Sequence, residues 1–184
     1  MKSVKDIQHC FYINLDKRPD RKQHVESQLN KLGIPYERFR AIQMENGAIG
    51  CSMSHLSILR KAKEQNLPHV MIVEDDIKFL NPVLLKKQIT QFLTTIRDFD
   101  VLLIGGNNMP PFKEINDSCI KVSRCQTTTG YLVKQHYYDI LIDNIKTGIG
   151  KLLKEPQQHI LYAIDKYWFR LQERDKWYLI TPLT

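Results

Sequence analysis

An α/β fold with a mostly parallel central sheet is predicted by three features of this 184-residue sequence. Short unbroken apolar runs alternate with segments of helical period along most of the chain. The runs are of the kind that form strands buried on both faces, as parallel sheets require. One of them, Val70-Met71-Ile72-Val73, runs straight into three adjacent carboxylates, Glu74-Asp75-Asp76. Strands alternating with helices build βαβ units, and ligand sites in such sheets lie just beyond the carboxyl ends of the strands.

The elements follow in order. His9 to Leu15 is a compact apolar strand, and Arg18 to Leu32 carries Val25, Leu29 and Leu32 at helical spacing. Gly33 closes that helix as a C′ residue. Tyr36 to Ile42 reads as a second strand. Ile49 to Gln65 is a helix with Ile49, Met53, Leu56 and Leu59 on one side, widened by Ile58 and Ala62. The acidic strand comes next. After Pro82, favoured in a first helical turn, Leu85, Ile89, Phe92 and Ile96 give the clearest amphipathic helix.

Asp100 to Ile104 is a further buried strand, stopped by Gly105-Gly106. Asn107 to Asp117, with Pro110-Pro111, reads as the longest loop. Ile120 to Val122 and Thr128 to Val133 read as strands around a turn, Gln135 to Ile145 as a helix and Trp177 to Ile180 as a last strand. There is no internal repeat and no low-complexity linker, so residues 1–184 are expected to form a single domain.

Lys and Arg number 27 against 20 Asp and Glu, a net charge of +7. That balance suits polyanions in general, but no dense basic block with interleaved aromatics occurs, so no nucleic-acid partner is expected. Cys10, Cys51, Cys119 and Cys125 form no C-x-x-C pair and are expected to be idle free thiols. The polar start, Met1 to Gln8, is unlike a signal peptide, and no stretch approaches the roughly 20 apolar residues of a membrane span. The expectation is a cytoplasmic protein without a transmembrane segment, or one of the secretory-pathway lumen if a leader is missing.

Three carboxylates at a strand end concentrate negative charge where water is scarce, which is costly without compensation. A solvated acidic turn is one resolution. The other is a hard divalent ion such as Mg²⁺ or Mn²⁺, held by one or two carboxylates and substrate phosphates. Adjacent strand residues alternate faces, so Glu74 and Asp76 are expected on one side and Asp75 on the other.

Four further segments accompany the acidic one in order: Ile13-Asn14-Leu15-Asp16-Lys17-Arg18-Pro19-Asp20-Arg21, then Gly50-Cys51-Ser52-Met53-Ser54-His55, then Thr128-Thr129-Gly130-Tyr131, and finally Asp165 before Tyr167-Trp168. This series resembles the family 25 glycosyltransferases, which include bacterial lipooligosaccharide β-galactosyltransferases and the glycosyltransferase domains of collagen-modifying enzymes. Their pattern runs I-N-L-x-x-R-x-x-R, G-x-x-x-S-H, E-D-D at a strand end, T-x-G-Y, and a late Asp. Each motif is weak alone; in register along nearly the whole chain they are specific. The chain departs at the late Asp, where Ala163-Ile164 stands in place of a frequent preceding Pro.

The resemblance implies a GT-A type, Rossmann-like sandwich, a UDP-galactose or UDP-glucose donor, Mn²⁺ (or Mg²⁺), and transfer with inversion to a glycan or hydroxylated, collagen-like protein acceptor. It assigns donor contacts to Asn14, Arg18, Arg21, His55, Glu74, Asp75, Thr129, Gly130 and Tyr131, and metal ligation to Asp76 and Glu74. Arg offers a bidentate fork for phosphate, and two Arg at a helix start oppose the helix dipole, as a ligand-facing pair can. Asp165 is the candidate base for the acceptor hydroxyl, or alternatively a second metal ligand. Two other readings stand beside this one: a degenerate domain that binds a nucleotide sugar or glycan without turnover, and a basic nucleic-acid-binding domain indifferent to Glu74 and Asp76.

Overall fold

The computed structural model describes residues 1–184. Eight strands form one sheet: β1 (Cys10–Asn14), β2 (Glu37–Arg40), β3 (His69–Glu74), β4 (Val101–Leu103), β5 (Asn107–Asn116), β6 (Cys119–Gln126), β7 (Gly130–Lys134) and β8 (Trp177–Ile180), in the spatial order β2-β1-β3-β7-β4-β8-β6-β5. Six strands point one way, and β6 and β7 run against them. The helices are α1 (Pro19–Leu32), α2 (Gly47–Glu64), α3 (Pro82–Thr95), α4 (Tyr138–Lys154) and the short α5 (His159–Tyr162), α6 (Ile164–Tyr167) and α7 (Phe169–Arg174). This is the α/β sandwich that the alternating pattern predicted. No helix is long and apolar enough to cross a membrane.

Alternation along the strands divides the core into two layers. Phe11, Ile13, Val70 and Ile72 face Leu56, Ile58 and Leu59 of α2 and Leu141 and Ile145 of α4. Cys10, Tyr12, Met71 and Val73 face Val25 and Leu29 of α1 and Leu85, Ile89 and Phe92 of α3. Every residue of β1, and every residue of β3 before Glu74, is buried. The helix starts are set locally. Asn46 accepts from the N–H groups of Ala48 and Ile49 at the head of α2, and Asn81 accepts from Leu84 N–H at the head of α3. Gly33 ends α1 in the left-handed conformation, φ 70°.

Asn107 to Asn116, expected as a loop, is strand β5 instead, paired only with β6 at the outer edge of the sheet. Its residues are mostly exposed, so it lacks the apolar alternation that betrays a strand. Pro110-Pro111 sits at a register shift between Met109 and Phe112, where an edge strand tolerates missing donors. Helix α4 runs on to Lys154, past the expected end at Ile145. All four cysteines are free, as expected.

The first turns of α2 press on the connection from β2. A Cβ on Gly50 would stand 2.6 Å from the Ile42 carbonyl oxygen and 3.2 Å from the Met44 nitrogen. Neither is a side chain that can swing away. Gly47, three residues earlier, meets nothing within 4 Å. Gly50→Ala is therefore expected to lower the unfolding free energy by about 1–3 kcal/mol through overpacking, while Gly47→Ala raises it by up to about 1 kcal/mol. Urea midpoints of the two variants check this, and equal effects would contradict it.

At the other end of β3 the buried His69 accepts the Gln8 N–H through Nε2 at 3.1 Å. Burial, and then the neighbouring His9, hold its pKa down from 6.5 to about 4. The unfolded chain takes up a proton there before the folded one does. Stability from this group is full above about pH 6.5 and is lost as pH falls toward 4. A His69→Gln variant is expected to show a flatter loss of unfolding free energy across that window; an unchanged slope would assign the acid sensitivity elsewhere.

Candidate functional site

The carboxyl ends of β1 and β3 lie side by side, because the two strands are parallel neighbours with Ile13 opposite Glu74. Beyond them opens a cavity of about 580 Å³. Its walls are the residues after β1 with the start of α1 (Lys17, Arg18, Arg21), the β2–α2 connection, the first turns of α2, and the acidic end of β3. That volume lies within the usual range for small-molecule sites.

Asn14 sits beneath the cavity, buried to 1% exposure. Its Nδ2 donates to Asp75 Oδ2 (2.8 Å) and to the Arg18 carbonyl (3.0 Å), while its Oδ1 accepts from Arg38 Nε (3.1 Å). Arg38 also pairs with Asp16 at 2.7 Å. One amide thus ties the ends of β1, β2 and β3 to the start of α1. Asp75, buried by this network, also pairs with Arg21 Nη1 at 3.1 Å, and the same Nη1 holds Asp76 at 3.1 Å. Asp76 is half exposed. Arg18 lies at the cavity wall and forks onto Asp20 at 2.9 and 2.7 Å.

The expected alternation of the triplet is not what the structure shows. Strand β3 ends at Glu74, and Asp75 and Asp76 belong to the following turn. Period-two geometry stops with the strand, so both Asp residues reach Arg21 while Glu74 turns toward α2. Glu74 Oε1 accepts from Thr128 Oγ1 (2.6 Å) and Cys51 Sγ (3.5 Å) and lies 3.4 Å from His55 Nε2. Behind it, His55 is fully buried, with Nδ1 2.8 Å from Tyr131 Oη and the two rings stacked. Tyr131 meets Trp168 edge to face.

The electrostatics follow from these contacts. Burial pushes the Glu74 carboxyl pKa up, but the hydrogen bond and charge of His55, with the Thr128 and Cys51 bonds, outweigh it and leave the group below its ordinary 4.5. Burial, then the Glu74 charge, keeps the Cys51 thiol protonated, and Asp165 adds to the effect. The Tyr131 hydroxyl is pushed well above 10, chiefly by burial.

Arg18, Arg21, His55, Glu74, Asp75 and Asp76 thus line one cavity. The other sequence candidates lie outside its lining. Thr129 Oγ1 bonds to Thr127 Oγ1 at 3.3 Å. A Cβ on Gly130 would stand 2.7 to 2.9 Å from Ile104 and Ile77 side chains, so core packing accounts for that glycine. Asp165, at the start of α6, accepts the Thr127 N–H at 3.1 Å, and Lys166 beside it bonds to Gln126. Three contributors escaped the sequence reading: Arg38, Thr128 and Cys51. Two of them left a signal: Cys51 precedes His55 by four residues and so shares its helix face, and Thr128 opens the T-x-G-Y segment.

The carboxylates bordering the cavity are oxygen donors of the kind a hard divalent ion takes. All three side-chain contacts of Glu74 fall on Oε1, and the residue lines the cavity. With the half-exposed Asp76 it offers oxygen ligands of the type Mg²⁺ and Mn²⁺ prefer.

Comparison with known proteins agrees with the motif series. The sequence profile described as "Glycosyltransferase family 25 (LPS biosynthesis protein)" matches residues 7–47 and 43–167. A "Glycosyltransferase 25 family member" of Aedes aegypti is 26% identical over 192 residues, spanning 88% of this chain and 30% of that protein. A "Putative glycosyltransferase" of Haemophilus influenzae is 27% identical over 129 residues, spanning 58% of this chain and 45% of that one. A solved structure of "a glycosyltransferase involved in the glycosylation of the major capsid of PBCV-1" aligns with a TM-score of 0.49 at 14% identity, covering 96% of this chain and 93% of that one. The chain spans under a third of the length of the insect relatives it matches, at 30%, 26% and 27%. With the profile covering most of the sequence, and three of its five motifs meeting at one cavity, the chain belongs to glycosyltransferase family 25.

Proposed function

We propose that the chain is a metal-dependent, inverting glycosyltransferase that moves galactose or glucose from a UDP-sugar to a hydroxyl of a glycan or collagen-like acceptor. The observation that carries this reading is the shared cavity, where Lys17, two guanidinium groups and four carboxylates converge beyond the ends of parallel strands. Such a mixture suits a ligand that is itself anionic and arrives with a cation.

Arg18 and Arg21 would meet the diphosphate, with Asn14 fixing the backbone from which Arg18 projects. Asp76, and Glu74 through Oε2, would hold Mn²⁺ or Mg²⁺, which when bound neutralises the diphosphate and stabilises charge on the leaving group. In a single displacement the acceptor oxygen forms a bond to the anomeric carbon as the bond to the diphosphate oxygen breaks. Asp165 would take the acceptor proton, and the electron pair leaves with UDP. The Thr127 N–H, donating to Asp165 Oδ2, positions that carboxylate. His55 acts through Glu74, whose carboxylate it helps keep ionised.

One observation favours the second reading, a domain that binds without turnover: Asp165 lies outside the cavity lining.

Calorimetric titration with UDP, UDP-galactose and UDP-glucose, each with and without Mn²⁺, tests the donor site. Metal-dependent binding that weakens at least about tenfold in Asp76→Ala is expected, a change worth about 1.4 kcal/mol. Absence of binding by the folded protein to all three would sink the proposal. Asp165→Asn is expected to keep donor affinity and lose transfer by about 10²–10⁴-fold. Donor binding with no transfer in the native chain, to lipooligosaccharide or collagen-peptide acceptors, would favour the second reading.

A further inference from the structure

We propose that Cys51 Sγ, His55 Nε2 and Glu74 Oε1 form a second site, sharing Glu74 with the first, for a thiophilic divalent cation of the Zn²⁺ class. These are the three His, Cys or acidic residues in the chain whose ligand atoms all lie within 4.8 Å of one another. Two of the three edges are short: Nε2 to Oε1 is 3.4 Å and Sγ to Oε1 is 3.5 Å. Zinc bonds of about 2.3 Å to sulfur and about 2.0–2.2 Å to nitrogen and oxygen, at tetrahedral angles, require edges of about 3.3–3.6 Å. The trio therefore already has two edges of a zinc tetrahedron.

The scaffold supports the ligands. Cys51 and His55 project from successive turns of α2, a rigid helix whose Gly50 is wedged against Ile42 and Met44. Glu74 comes from the end of the central strand β3. The outer contacts are those a metal-bound histidine uses. Nδ1 lies 2.8 Å from Tyr131 Oη, so on metal binding Nε2 gives up its bond to Glu74 and the ring carries its proton on Nδ1, donating to the tyrosine oxygen. Thr128 Oγ1 donates to Glu74 at 2.6 Å. Coordination releases the Cys51 proton to solvent, and the metal replaces it against the Glu74 carboxylate. All three residues line the cavity beyond β1 and β3, so the ion has a route in.

A soft sulfur, an imidazole and one carboxylate select differently from the oxygen ligands at Asp76. Thiolate with imidazole favours Zn²⁺ over Mg²⁺ and Mn²⁺. Glu74 is common to both sites, through Oε1 in one and Oε2 in the other. An ion in the trio commits this carboxylate and carries positive charge into the inner wall of the cavity, so donor binding with Mn²⁺ changes when Zn²⁺ is present. That consequence rests on the transferase reading; the site itself does not.

The test is a Co²⁺ titration of the reduced full chain, with Co²⁺ as the optical stand-in for Zn²⁺. One equivalent is expected to give a near-ultraviolet thiolate charge-transfer band and intense visible bands of a tetrahedral centre, both abolished by Zn²⁺. Cys51→Ser should lose the charge-transfer band. Tyr131→Phe, which keeps all three ligands, should weaken Co²⁺ about 10–100-fold. Asp76→Ala should leave the band intact, which separates this site from the proposed donor metal. Co²⁺ binding without a thiolate band, or a band that survives Cys51→Ser in a folded protein, would overturn the proposal while leaving Mn²⁺-dependent UDP binding as a separate result.

Discussion

The buried amide of Asn14 is the contact on which the site depends. It sits where three parallel strands end, and it meets a carboxylate, a guanidinium and a helix-start carbonyl at once. A buried amide left without partners costs about 1–3 kcal/mol, so these bonds constrain one another. Asn14 holds Asp75, Asp75 and Asp76 hold Arg21, and Arg38 links Asn14 to Asp16. The ends of β1, β2 and β3 therefore keep a fixed relation, although each is followed by irregular chain.

Around that tie the two core layers have different duties. The α1 and α3 face is a conventional apolar layer, with Leu, Ile and Phe packed beneath the strands. The α2 and α4 face becomes polar toward the cavity: Ser54 accepts from Ile42 N–H at 2.9 Å, His55 leans on Tyr131, and Cys51 reaches Glu74. Buried polar groups in a chain of this kind rigidify a site only if each finds a partner. Here the buried side-chain atoms left without one are Asn108 Oδ1 and Asn144 Nδ2, neither of which lines the cavity.

Much of this was legible in the sequence. Val70 to Val73 reads as a two-sided buried strand because it is one, and the period of Leu85, Ile89 and Phe92 follows the buried stripe of α3. The loss of legibility has particular causes. Strand β5 buries little, so no apolar pattern marked it. The faces of Asp75 and Asp76 were misjudged because alternation presumes a strand that has already ended at Glu74. Cys51 looked idle because a thiol has the composition of a small core residue, and its meaning depends on Glu74, which is distant in sequence and adjacent in space. Thr128 stood in the T-x-G-Y segment, but its contact was hidden for the same reason: its partner is 54 residues away.

Strand β5 closes the sheet on one side, and its two prolines bear on solubility. Neither Pro110 nor Pro111 has an N–H, so this stretch of the outer strand lacks two backbone donors. Lys113 and Glu114 follow as exposed charges. A ten-residue outer strand would otherwise offer a continuous template for another chain to extend. With a gap in the donor row and charges beside it, this margin resists edge-to-edge polymerisation.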